Sequence, residues 1–130
     1  MNSQTNKFIE RIGKDERVIA VALFGSSLKG IGRDIDVCVF LGKDYSNLEM
    51  SRIKLDFLKN AGKNIDVQIF QQLPVYIKVR VLKEGKILFC NNEDELYEIA
   101  FSTIKEFGFF KKAYEMYLNE VENGQKKSIV

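Results

Sequence analysis

The stretch from Val18 to Leu41 constrains this chain more than any other. An apolar segment, Val18 to Phe24, stops at Gly25-Ser26; a short turn of small residues follows, and Asp34-x-Asp36 opens a second apolar segment ending near Leu41. Apolar runs this short, bounded by glycine and serine, read as strands rather than helices. Glycine lets the backbone approach a ligand closely, and serine adds a hydroxyl beside exposed amide hydrogens. Side chains two apart on a strand share a face, so Asp34 and Asp36 project together, about 6.6 Å apart along the chain. Two carboxylates so spaced, beside a turn able to cradle phosphate, suit divalent cations and nucleotide chemistry.

The remaining pattern predicts helices alternating with strands. Ser3 to Lys14 carries Phe8, Ile9 and Ile12 at helical spacing, with Gly13 near its end. Residues 26–31 read as a short turn or helix. Along Asp34 to Leu41, Ile35, Val37, Val39 and Leu41 take one face, and Asp34, Asp36, Cys38 and Phe40 take the other. Both faces become apolar beyond the first residues, as in a strand covered by helices on both sides. Leu48 to Ala61 reads as an amphipathic helix with Ile53, Phe57 and Leu58 inward and Gly62 as its stop. Ile65 to Phe70 is a third strand with Asp66, Gln68 and Phe70 on one face. Pro74 fits the first turn of a helix over 74–84, Gly85 ends it, and Lys86 to Cys90 is a short strand. Asn92 to Glu95 resembles a capping arrangement for a last helix reaching about Val121 and bent at Gly108. In it Leu96, Ile99, Thr103, Phe107, Phe110, Tyr114 and Tyr117 predict a buried stripe. Phe101 and Phe109 fall off that stripe, an apolar surplus that suits a partner surface.

If the second and third strands are neighbours, Asp34, Asp36 and Asp66 converge at one end of the sheet. Like charges gathered there repel, and desolvating them is costly without compensation. Magnesium offsets both effects, and two ions about 3.5–4 Å apart suit phosphoryl or nucleotidyl transfer. An acid at a strand start is ordinary by itself; three of them beside a glycine-serine turn are not. Composition narrows the chemistry further. The chain has no histidine, which removes Ser-His-Asp and Cys-His catalysis and histidine-ligated zinc or iron. Cys38 and Cys90 lie in apolar runs without a CxxC spacing and read as reduced core residues. A net charge of +2 offers no basic face for duplex nucleic acid, so no stable nucleic-acid binding is expected. No apolar stretch is long enough for a bilayer and the first residues are polar, so the expectation is a cytoplasmic protein.

The Gly25-Ser26 turn, Asp34-x-Asp36 and the later Asp66 resemble the DNA polymerase β-type nucleotidyltransferase superfamily. The short length, the segment from Leu73-Pro74 through Arg80 to Gly85, and the Phe/Tyr-rich last helix resemble its minimal nucleotidyltransferase (MNT) group, antitoxins that accompany HEPN ribonuclease toxins. The resemblance covers nearly the whole chain. It implies an α/β, polymerase β palm-like nucleotidyltransferase fold, a short mixed sheet of about four strands packed with helices, as one domain over residues 1–130. It further implies magnesium-dependent transfer of AMP from ATP to a tyrosine of a HEPN toxin, which silences the toxin. On that pattern Gly25 and Ser26 would hold the triphosphate and Lys29 would touch a phosphate. Asp34 and Asp36 would bind two magnesium ions, and Asp66 would complete the triad and activate the acceptor. Lys78 and Arg80 match basic positions in similar proteins, suited to a phosphate, an acidic partner or plain solvation. The spacer from Ser26 to Asp34 is shorter than is common there, and Arg33 stands where serine is frequent; neither change removes a group the chemistry requires. Two other readings share the motif. One is a catalytically idle antitoxin acting by binding alone; the other is a small-molecule nucleotidyltransferase of the aminoglycoside-modifying kind, which usually adds a helical region.

Overall fold

The computed structural model describes residues 3–25, 35–42 and 44–128, with side chains through 123. In chain order the elements are α1 (Ser3–Gly13), β1 (Val18–Phe24), β2 (Ile35–Leu41), α2 (Asn47–Lys59), β3 (Ile65–Ile69), a 3-10 turn (Phe70–Gln72), α3 (Val75–Glu84), β4 (Lys86–Cys90) and α4 (Glu93–Ser128). The strands form one mixed sheet in the order β3-β2-β1-β4. β1 runs antiparallel to β2 and β4, whereas β2 and β3 are parallel. A parallel pair needs a crossover, and α2 supplies it.

Each face of the sheet carries its own apolar layer. Val37, Val39, Val67 and Ile69 join Phe8, Ile9 and Ile12 of α1 and Ile53 and Phe57 of α2. On the opposite face Ala20, Ala22, Cys38 and Phe40 pack with Phe70 and Val81, backed by Ile77 of α3 and Leu96 and Ile99 of α4. Phe40 and Phe70 stack with ring centroids 4.3 Å apart. Burying each such ring contributes roughly 1.5–3 kcal/mol. In β1 the alternation breaks: Val18 and Val21 share one layer, while Ile19 and Ala20 lie in the other. A register shift between Val18 and Ala20 accounts for this, since a bulge resets strand parity.

Side-chain caps set the element ends. Ser46 Oγ accepts from the Glu49 amide at 3.1 Å and the Glu49 carboxylate accepts from the Ser46 amide at 2.9 Å, so α2 begins one residue before Leu48. Gly85 ends α3 against β1, where an added Cβ would lie 2.5 Å from the Val81 carbonyl and 3.3 Å from that of Leu23. At the start of α4 the Asn92 Oδ1 accepts from the Glu95 amide at 3.1 Å, as the capping pattern predicts.

The last helix departs from expectation. It extends to Ser128 rather than about Val121 and continues as α-helix through Gly108. Its predicted buried stripe holds through Leu96, Ile99, Thr103 and Phe107 and then leaves the core: Phe110 is 44% exposed, Tyr114 53% and Tyr117 61%. The cause is length, because α3 spans only Val75–Glu84 and nothing described covers the second half of α4.

Candidate functional site

The carboxylates sit at the edge of the sheet where β1 ends and β2 and β3 begin. Phe24 pairs with Asp36 across β1 and β2, and Asp36 stands in parallel register with Asp66. Adjacent strands lie about 4.8 Å apart, and residues in register point to the same face. Both aspartates are half-buried. The predicted adjacency of the second and third strands therefore holds for Asp36 and Asp66. Ser26, Lys29 and Asp34, the other predicted site residues, lie outside the described residues, as does Arg33.

Gly25 follows β1 directly with φ of 82°, a left-handed backbone that side chains strain. A Cβ there would come within 2.5 Å of Asp36 Oδ2. Position 25 thus admits only glycine on two independent grounds, and its backbone closes against a carboxylate that any side chain would displace. Asp66 Oδ2 accepts from Gln68 Nε2 at 2.9 Å, and Gln68 Oε1 accepts from Lys54 Nζ of α2 at 3.3 Å. Gln68 also lines a small cavity of about 20 Å³ with Phe24, Asp36, Cys38 and Leu73. Sequence reasoning placed Gln68 beside Asp66 by strand parity but carried no signal for Lys54, which arrives through tertiary packing.

Asp36 and Asp66 offer carboxylate oxygens side by side, a hard, like-charged donor set that fits magnesium and lacks the nitrogen or sulfur that zinc favours. Among the described residues, which exclude Asp34, no cluster of three or more potential metal-ligating side chains occurs. Lys78 belongs elsewhere. Its ammonium lies 5.9 Å from the centroid of the Phe70 ring, beyond the end of β3 opposite Asp66, and 3.7 Å from Glu106. Arg80 meets Glu84 at 3.4 Å on the exposed face of α3. The cleft of about 640 Å³ lined by Leu41, Tyr45, Lys78, Glu95, Glu98 and Glu106 likewise lies at the other end of β2 from Asp36.

Residues 6–94 match the family described as "Polymerase beta, Nucleotidyltransferase". The chain belongs to this family. The match takes in β1, Gly25, β2 with Asp36 and β3 with Asp66, the elements that assemble the half-buried acid edge. A protein of Methanocaldococcus jannaschii, named as a candidate protein adenylyltransferase, is 34% identical over 85 residues, covering 63% of each chain. This nucleotidyltransferase chain therefore spans about 63% of that relative's length. Among solved structures, a chain of a toxin–antitoxin complex with AMP-PNP superposes with a TM-score of 0.66 at 17% identity, covering 93% of this chain and 99% of that one. A chain from a complex of MNT antitoxin with tri-AMPylated Shewanella oneidensis HEPN toxin gives 0.63 at 18% identity, covering 92% and 96%. These likenesses show the nucleotidyltransferase fold, which among the described residues is a four-stranded mixed sheet with four α-helices. Among the described residues no helix is long and apolar enough to cross a membrane.

Proposed function

We propose that this nucleotidyltransferase transfers AMP from ATP to a tyrosine hydroxyl of a HEPN toxin and thereby acts as its antitoxin. The observation that carries the reading is the register of Asp36 with Asp66, closed by a glycine that no other residue could replace. The adenylyltransferase name of the relative and the AMPylated toxin beside a structural neighbour support the same chemistry. In this reading Asp34, Asp36 and Asp66 hold magnesium, Gly25 and Ser26 cradle the triphosphate, and Lys29 meets a phosphate. When bound, magnesium neutralises phosphate charge and sharpens the electrophilic phosphorus. Asp66 takes the proton of the tyrosine hydroxyl. The new oxygen–phosphorus bond forms as the α-phosphorus loses pyrophosphate, which leaves with the electron pair. In this reading the acceptor comes from the partner, as the AMPylated toxin beside a structural neighbour suggests.

The exposed second half of α4 favours a contribution from contact as well. Phe107, Phe110, Tyr114, Tyr117 and Val121 recur at alternating spacings of three and four, the seam a partner helix fills. Phe110 stacks on Phe107 at 6.3 Å and on Tyr114 at 6.2 Å, pre-forming an aromatic ridge. Such a ridge would hold the toxin whether or not AMP is transferred. Mass spectrometry of the toxin after incubation with this protein, ATP and magnesium tests the proposal. It predicts AMP on a toxin tyrosine and loss of ribonuclease activity; silencing with no adenylate would leave contact alone as the mechanism.

A further inference from the structure

We propose that Gln68 is a positioning residue for Asp66 and that Lys54 acts through it, an assignment that rests on the reading of Asp66 given above. A carboxamide has one end that only donates and one that only accepts. A carboxylate only accepts and an ammonium only donates, so one of the two amide orientations satisfies both neighbours and the other satisfies neither. The observed contacts fit that single orientation: Nε2 to Asp66 Oδ2 at 2.9 Å and Oε1 from Lys54 Nζ at 3.3 Å. Both ends of the amide thus meet a charged group, the carboxylate end more closely.

The fold fixes each member of this line separately. Strand pleating puts Gln68 on the same face as Asp66, two residues on. Lys54 comes from α2, held against the sheet by the buried Ile53 and Phe57 on either side of it in sequence. Lys54 has no ion pair among the described residues, so its charge is directed at the amide oxygen. The result occupies Oδ2 of Asp66 and fixes the carboxylate plane, leaving Oδ1 for the reaction. Gln68 also borders the small cavity that Asp36 lines.

Two measurements test the assignment. In the metal-free protein, nitrogen-15 NMR should show Gln68 carboxamide protons exchanging slowly with water, with the protection lost in Asp66→Ala and reduced in Lys54→Met. In the complete assay with ATP, magnesium and toxin, Gln68→Met should lower kcat by about 10–100-fold, the usual loss when a ligand's supporting partner is removed, and leave the KM for ATP within about twofold. Lys54→Met should cost less, and adding it to Gln68→Met should cost nothing more, because its effect passes through the amide. Gln68 protons that exchange as freely as those of an exposed glutamine would overturn the assignment, as would additive losses in the double variant. Wild-type transfer that Gln68→Met leaves unchanged overturns only the Gln68 role, whereas a wild-type protein that transfers no AMP overturns the reading beneath it.

Discussion

At the scale of single residues, Gly25 and Cys38 show how the fold limits chemistry near the acid edge. Gly25→Ala forces a side chain into a left-handed backbone and against Asp36 Oδ2. The backbone term alone costs about 1–2 kcal/mol, and the displaced carboxylate should cost most of the AMP transfer besides. Thermal unfolding and transfer assays on that variant check both parts, and a stable, fully active Gly25→Ala protein would contradict the packing described. Cys38 lies two residues beyond Asp36 in β2, and burial pushes its thiol from 9.0 up to about 12. The folded state thus keeps its proton where the unfolded state has lost it. This contribution to stability is whole below about pH 9 and declines as pH rises toward 12. At pH 8 a thiol reagent should label the half-buried Cys90 readily and reach Cys38 only at the rate of unfolding. Rapid modification of both thiols in the folded protein would contradict this. Sequence alone placed Cys38 on the same strand face as Asp36, because period-two alternation needs only neighbouring residues. It had no means of placing Lys54 or Gln68 in contact, since that pairing depends on where α2 settles on β3.

At the scale of elements, two junctions make separable predictions. Arg17, just before β1, donates to Asp15 at 2.7 Å and to Asp56 of α2 at 3.0 Å, and its guanidinium lies 5.2 Å from the Phe57 ring centroid. The joint between the α1–β1 connection and α2 is therefore part ion pair and part cation–π contact. Arg17→Ala should cost about 1–2 kcal/mol in chemical denaturation at neutral pH. Its hydrogen bonds hold the Asp15 carboxyl below its usual 3.8. A lowered carboxyl contributes stability above its unfolded value and loses it as pH falls through the folded one, so the gap between wild type and variant should narrow below about pH 3.8. A gap that widens in acid would contradict the pairing. In α4 the replacements Tyr114→Ser and Tyr117→Ser should shift stability by less than about 0.5 kcal/mol, as at exposed sites generally, yet weaken toxin binding at least tenfold in calorimetry. Here the sequence was legible only in part. Its helical period identified the face carrying Phe110, Tyr114 and Tyr117 correctly, but period says nothing about how far the rest of the domain reaches to cover that face. α3 is short, so a stripe that reads as core becomes surface halfway along.

At the scale of the whole molecule, the sheet order β3-β2-β1-β4 brings acids from two strands to one end of the sheet, and the length of α4 carries its aromatic ridge beyond the packed layers. In the proposed function, chemistry and contact fall to different parts of a chain of 130 residues. The four strands were readable from short apolar runs bounded by turn residues, whereas the mixed sheet came only from the family resemblance, and the β1 bulge, which resets parity at Val18–Ala20, had no signal in the sequence. The parallel register of Asp36 with Asp66 was readable only conditionally, as it needed the two strands to be neighbours. If the proposed function holds, that division makes the carboxylates dispensable for toxin binding and indispensable for transfer. The direct test mixes labelled ATP, magnesium and the HEPN toxin with wild-type protein or with the Asp36→Asn/Asp66→Asn double variant, and measures label on the toxin together with complex formation. The account predicts label with wild type, a loss of about a thousandfold or more in the variant, in keeping with several kcal/mol of lost charge stabilisation, and complex formation within about twofold. Label that survives in the variant, or toxin silencing that is undiminished without label, would contradict it.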